Sequence, residues 1–243
     1  MRKVMVAVGG SLILAAPLAS ADIVGAGASV NYWDSELSGD AGTNGDIVDL
    51  DNTLNLDSDT NANASVYFEH PVPVIPNIRL NYTLIEQSGQ GTLSANFDGI
   101  NASAGVQSDL DLEQLDLTLY YEILDNWANL DLGITARDID GELLVQEVGG
   151  GQASQTEIDG VIPMGYLAAR FDLPFTGVSV GGEGNFISYD GDSINDYSLY
   201  GQYEFAMLQV RAGYRQLAID YEDEDDRLDV DIDGPFVSAG VAF

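Results

Sequence analysis

Leu115-Asp116-Leu117-Thr118-Leu119-Tyr120-Tyr121-Glu122-Ile123 places an apolar or aromatic residue at every odd position, with polar residues and one Tyr between. Period two is the repeat of an extended strand, whose successive side chains leave on opposite faces, whereas a helix needs spacings of three and four. The same alternation recurs in Val24-Ala26-Ala28-Val30-Tyr32, Ala62-Ala64-Val66-Phe68, Ile78-Leu80-Tyr82-Leu84 and Leu130-Leu132-Ile134-Ala136. It continues in Gly165-Leu167-Ala169-Phe171, Val178-Val180-Gly182-Gly184-Phe186, Tyr197-Leu199-Gly201-Tyr203-Phe205, Leu208-Val210-Ala212-Tyr214 and Val237-Ala239-Val241-Phe243. These segments predict an all-β chain of ten strands, eight being the alternative count.

The connections between them alternate in kind. Four are short, around residues 70–77, 124–129, 172–177 and 205–207; five are mostly long, acidic and rich in Gly and Asn, at about residues 34–60, 87–109, 138–159, 188–196 and 220–231. Short turns at one end, long polar loops at the other and an even strand count are the pattern of an antiparallel up-and-down transmembrane barrel. The short turns and both termini are then periplasmic. A soluble β-sandwich also alternates, but it does not require aromatic residues at the ends of the apolar runs. Here Phe68, Phe171, Phe205 and Phe243 stand on the turn side and Tyr32, Tyr189 and Tyr221 on the loop side, as an interfacial girdle requires.

The first residues fit this destination. Met1-Arg2-Lys3 is a positive start, residues 4–18 are largely apolar, and Ala19-Ser20-Ala21 has the small-x-small form of a cleavage site. Residues 1–21 therefore read as a secretory signal peptide, too short in its apolar run to span a bilayer, and residues 22–243 as the barrel domain.

Charge excludes whole classes of function. The chain has 8 Lys and Arg against 40 Asp and Glu, a formal net charge of −32, and cleavage would remove Arg2 and Lys3 and leave no Lys at all. Phosphate contacts need cations, so no nucleic acid is a partner. With 45% hydrophobic residues the chain is not a disordered polyanion, and without Cys it has neither disulfides nor a thiolate site.

Four stretches carry a resemblance: Asp22-Ile23-Val24-Gly25-Ala26-Gly27 with Tyr32-Trp33, the turn from Glu69-His70-Pro71 through Pro76-Asn77-Ile78-Arg79-Leu80, the segment Tyr120-Tyr121-Glu122-Ile123-Leu124-Asp125-Asn126-Trp127, and the terminal Phe243. Together the mature chain resembles a proteobacterial family of small outer-membrane β-barrel proteins. The resemblance implies a barrel in the outer membrane of a Gram-negative bacterium and brings no assigned chemistry. The strand ending at Phe243 is similar to the signal by which the barrel-assembly machinery recognises its clients, which makes that machinery an expected partner. A monomer is the default state.

If the apolar parity faces lipid, the other parity faces the lumen. Arg79, Arg137, Arg170, Arg211 and Arg215 all fall on the inward parity, as do Glu69, Asp116, Glu122, Asp131, Glu183 and Glu204. Arginine on the lipid face near mid-bilayer costs about 2–4 kcal/mol, so the sorting is what a membrane demands. A barrel of this size is nearly filled by its side chains, and the charges predict a salt-bridged plug. In it Arg170, Glu183 and Arg211 meet at similar depth, with Glu204 and Glu122 as further acids.

Catalytic chemistry finds little to use. The single His, His70, begins a turn at the periplasmic end, away from the rim where an outer-leaflet enzyme would act, and Gly149-Gly150-Gly151 has no following Lys and reads as a loop tip. Three acidic tetrapeptides stand out: Asp138-Ile139-Asp140-Gly141, Glu157-Ile158-Asp159-Gly160 and Asp231-Ile232-Asp233-Gly234. Carboxylates two apart share one strand face, and such oxygens suit Ca²⁺ or Mg²⁺, although Gly at a strand end also marks a bulge. No cofactor is otherwise expected. The run Glu222-Asp223-Glu224-Asp225-Asp226 is read as a solvated loop. So negative a rim would meet lipid and anionic lipopolysaccharide through bridging divalent cations. The expected function is therefore non-enzymatic, structural or at the cell surface; a narrow cation-preferring channel is the second reading and an outer-leaflet enzyme the third.

Overall fold

The computed structural model describes residues 24–43, 46–97, 99–223 and 226–243; the predicted signal peptide, the mature start at Asp22, and Glu224 and Asp225 of the acidic run lie outside them. The elements are β1 (Gly25–Trp33), β2 (Glu36–Thr43), β3 (Asp46–Asp49), α1 (Leu50–Leu54), β4 (Leu56–Glu69), β5 (Asn77–Thr92), β6 (Gly105–Asp125), β7 (Ala128–Glu147), β8 (Ala153–Asp172), β9 (Val178–Tyr189), β10 (Asp192–Phe205), β11 (Leu208–Asp223) and β12 (Asp226–Ala242). β1 and β4 to β12 pair each with its neighbour, all antiparallel, and β1 pairs with β12 from Gly27 opposite Ala242 to Trp33 opposite Phe236. The ladder thus closes on itself as the predicted ten-stranded barrel. β2 and β3 are additional: β2 pairs only with the loop end of β12, Glu36 opposite Asp233, and β3 pairs with β2.

Three of the predicted long loops are mostly strand. β7 and β8 run on through the supposed loop at 138–159 and pair as far as Gln146 opposite Ala153. β11 and β12 pair to Asp223 opposite Asp226, and β10 already begins at Asp192, inside the supposed loop at 188–196. The reason is a change of polarity without a change of ladder. In β7 the outward face carries Leu132, Ile134 and Ala136, then Asp138, Asp140 and Glu142, while the inward face changes from Thr135 and Arg137 to Ile139 and Val145. β6 does the same, its outward Leu117 and Leu115 giving way to Glu113 and Asp111 as inward Leu112 and Val106 become buried.

Each barrel wall therefore has two zones. Towards the turns it is apolar outside and polar inside; towards the loops it is acidic outside and apolar inside. A tilted strand crosses a bilayer in about 9–11 residues, and the outward apolar runs at 115–123 in β6 and 161–171 in β8 have that length. Tyr32, Tyr82, Tyr197 and Tyr214 stand exposed near the loop end of their apolar runs. Of the tyrosines expected in that ring only Tyr32 belongs to it; Tyr189 ends β9 at the hairpin and Tyr221 lies far along β11.

Inward tyrosines are accommodated by glycine on the neighbouring strands. Gly133 of β7 sits between Tyr120 of β6 and Tyr166 of β8, and a Cβ there would lie 2.3 Å from the Leu119 carbonyl oxygen and 2.8 Å from Tyr120 Cβ. Gly133→Ala must push backbone apart, and a loss of about 1–3 kcal/mol is expected, read as a lower urea midpoint of the refolded protein.

Candidate functional site: the closed lumen

The interior is layered from the turn end to the loop end. At the turn end the carboxylates and Arg170 are partly exposed, while Tyr120 and Asn77 are buried. Tyr120 donates its hydroxyl to Glu69 Oε1 at 2.7 Å, Asn77 donates to Glu122 Oε2 at 3.0 Å, and Arg170 donates to Asp172 Oδ1 at 3.0 Å. Asn129 completes Asp172 from the adjacent strand at 3.0 Å. His70 closes the β4–β5 turn here. Its Nδ1 accepts from the Val72 amide at 3.2 Å, which leaves Nε2 to donate to the Pro76 carbonyl at 3.2 Å.

The middle layer is built on two arginines. Arg79 of β5 donates to Glu183 of β9 at 2.8 Å and lies over the rings of Tyr120 and Tyr166, 5.6 and 5.4 Å from their centroids. Arg211 of β11 reaches the other Glu183 oxygen at 3.9 Å, donates to Gln202 at 2.7 Å and stacks 4.5 Å over Tyr200.

Above it lies the most enclosed group. Arg137 of β7, with no exposed surface, grips Asp116 of β6 with two hydrogen bonds of 2.7 and 2.8 Å and reaches Asp196 of β10 at 2.6 Å. Arg215 of β11 takes the same Asp196 with bonds of 2.9 and 2.8 Å and lies 4.6 Å over the Trp33 ring. Two carboxylates and two guanidiniums thus tie four strands across the lumen, each fork matching a carboxylate edge. A hydroxyl-amide chain flanks them: Thr118 and Thr135 at 2.8 Å, and Thr135 to Asn185 at 2.6 Å. Between the middle layer and this group remains a polar cavity of about 100 Å³ lined by Asn63, Arg79, Asp116, Tyr166, Glu183 and Arg215 among others, room for a few water molecules.

The loop end is filled by apolar side chains. Trp33, Leu217, Ile232 and Phe236 from the barrel wall form one buried cluster with Val48, Leu50 and Leu54 of the β3–α1 segment and with Leu93 and Ile100 of the β5–β6 connection. Two glycines of β5 let α1 lie directly on the strand: a Cβ on Gly91 would meet the Thr53 carbonyl oxygen at 1.7 Å, and one on Gly89 the Asn55 carbonyl oxygen at 2.2 Å. Thr53 and Ser94 share a hydrogen bond of 3.2 Å across this contact.

The predicted inward residues are thus sorted differently from the expectation. Arg79, Glu183 and Arg211 meet, as do Asp116, Arg137 and Arg215. Arg170 does not join Glu183: it pairs with Asp172 two residues along its own strand, because it sits at the open turn end. Among the described residues Glu69, Glu122, Asp131 and Glu204 form no ion pair. Asp196, the acid shared by Arg137 and Arg215, falls in the stretch 188–196 that reads as loop from the sequence, whereas β10 begins at Asp192 and the parity of Tyr197 and Leu199 makes Asp196 inward.

The acidic tetrapeptides lie on the outward face beyond the apolar zone. Asp140 stands directly opposite Asp159, and Glu142 opposite Glu157, so their carboxylates do line up across β7 and β8; Asp138 faces Val161. Asp231 accepts from Gln216 at 2.7 Å and Asp233 accepts from the Tyr214 hydroxyl. Among the described residues no three His, Cys, Asp or Glu side chains converge closely enough to hold a metal ion.

No family model and no curated protein matches the chain. Among solved structures, it is similar to the translocator domain of the autotransporter NalP from Neisseria meningitidis, at 8% identity and a TM-score of 0.45, over 93% of this chain and 90% of that one. The transport unit of the autotransporter AIDA-I from Escherichia coli gives 9% identity and a TM-score of 0.41, over 96% and 93% of the two chains. The toluene transporter TodX from P. putida gives 12% and 0.30, over 92% and 90%. All three are distant likenesses that leave the function to be read from the lumen and the surface.

Proposed function

We propose that this chain is a non-conducting, non-enzymatic barrel of the Gram-negative outer membrane, with its short turns in the periplasm and its acidic hairpins at the cell surface. The outward apolar zone and the inward arginines support the membrane location. The observation that carries the rest is the double closure of the lumen: an apolar cluster fills the loop end, and the Asp116–Arg137–Asp196–Arg215 group crosses the barrel beneath it. The second reading, a cation-preferring path, would have to pass a central zone where Arg79, Arg137, Arg211 and Arg215 face Asp116, Glu183 and Asp196, four guanidiniums against three carboxylates. The carboxylates of these groups are engaged by guanidiniums and are not free to ligate a passing cation.

The hairpins beyond the apolar zone carry the surface role. Their outward carboxylates meet the anionic lipopolysaccharide leaflet through bridging Ca²⁺ or Mg²⁺. Planar-bilayer recording of the refolded protein tests the closure. A flat current is expected at potentials where a porin in the same bilayer gives clear steps, and reproducible single-channel steps from the wild type would overturn the reading.

A further inference from the structure

The wall is not closed at every height. β8 pairs with β7 along nearly its whole length, to Ala153, but its ladder with β9 ends at Gly165 opposite Phe186, three residues before β9 itself ends at Tyr189 and turns back into β10. Pro163, which has no N–H to offer a ladder, stands two residues beyond that last pair. Residues 155–164 of β8 therefore present one edge with no strand partner among the described residues. The missing strand also leaves apolar surface uncovered: Ile158, on the inward parity, is 48% exposed.

We infer that this edge of β8 is a docking site for an extended basic polypeptide segment, which adds to the sheet as a further strand. This rests on the surface-interaction reading above and names the partner's chemistry. A strand placed beside β8 would pair its backbone with the free edge, the mode of recognition in which main-chain bonds give affinity and alternate side chains give selectivity. Its inward side chains would cover Ile158 and Ile162 and so be apolar. Its outward side chains would stand next to Glu157 and Asp159, and behind them Asp138, Asp140 and Glu142, a face without a single basic residue. Those must be Lys or Arg, because like charges directly opposite destabilise a pair. The same argument disfavours a second copy of this chain: antiparallel self-pairing of the edge brings Glu157 and Asp159 against each other.

The test uses the refolded protein in detergent micelles and a ten-residue peptide of alternating Lys and Val, compared with the same peptide carrying methyl groups on all its backbone nitrogens. The alternating peptide is expected to slow amide exchange over residues 155–162 and nowhere else. Methylation should weaken binding by at least about tenfold, the equivalent of one or two backbone hydrogen bonds, and Val161→Pro in the protein, which removes an amide N–H from the free edge and none from the β7 ladder, should do the same. Equal binding of the two peptides would mean adsorption by charge alone and would overturn the inference. So would protection at the edge of β3 instead, or protection of residues 155–162 without peptide that disappears on dilution, the mark of a second copy. Conductance recorded on the same preparation separates the two ideas: a silent barrel that ignores the peptide refutes the edge site and not the closed lumen.

Discussion

Arg137→Ala is expected to lower the stability of the refolded barrel by about 3–5 kcal/mol, the cost of leaving buried charges without their partner. The magnitude follows from where the residue sits. Arg137 is fully buried and makes three short hydrogen bonds to two carboxylates on two other strands. With the guanidinium gone, Asp116 loses both its fork contacts and is left enclosed in the wall, while Asp196 keeps only Arg215. Arg170→Ala is the matched control. Its pair with Asp172 is 33% and 40% exposed, and such pairs are worth at most about 1 kcal/mol. Urea titration followed by tryptophan fluorescence should therefore show a large shift for Arg137→Ala and a small one for Arg170→Ala. Restoring neutrality in Arg137→Met with Asp116→Asn should recover part of the loss, since a buried pair replaced as a unit leaves fewer unsatisfied groups. Equal shifts for the two alanine variants would show that burial of the group is not what holds the strands.

The barrel was legible in the sequence because lipid and lumen impose opposite demands on alternate residues, and runs such as Leu115 to Ile123 obey them strictly. What was not legible is what happens where the bilayer ends. In β6 the apolar residues occupy even positions at Val106, Leu110 and Leu112 and odd positions from Leu115 onward, with the break at Gln114. In β11 they are even from Leu208 to Tyr214 and odd at Leu217 and Ile219. Read alone, a break in phase looks like the end of a strand, and the residues beyond it read as loop. In the ladder there is no bulge at these points; the strand continues and its apolar face turns from the outside to the inside. Water replaces lipid outside, so carboxylates are tolerated there, and the interior becomes the drier side.

The same physics explains the errors about the charges. Parity assigns a face to each Arg, but partners depend on depth and on which strand lies across the lumen, and neither is written in a local alternation. Arg170 and Glu183 share a parity yet belong to different layers. The pairing of Arg137 with Asp196, from β7 to β10, crosses the interior rather than following neighbouring strands. The β2, β3 and α1 insert was hidden in a stretch rich in Gly, Asn and Asp, where a hairpin and a single helical turn leave little periodic signal. Its buried Leu37, Val48, Leu50 and Leu54 betray that it folds inward.

That insert sets the last expected result. Leu54 has no exposed surface and sits at the centre of the apolar cluster. Truncating a buried Leu costs about 2–5 kcal/mol, and Leu54→Asp adds an unpaired charge that the cluster cannot hold. α1 is a single turn of five residues, too short to persist without its packing, so the variant should release the insert while the barrel ladder stays intact. Trp33 reports this directly. It is 1% exposed in the same cluster, and in a Trp127→Phe background it is the remaining tryptophan. Iodide should quench it poorly in the parent and readily in Leu54→Asp. Conductance should nonetheless stay silent, because the Arg137 group still crosses the lumen below. Ionic current is expected only when Leu54→Asp and Arg137→Ala are combined, which removes both closures. If Leu54→Asp alone conducts, the apolar cap is the sole barrier and the charged group serves stability alone; if the combined variant folds and remains silent, the layers nearer the turns close the barrel by themselves.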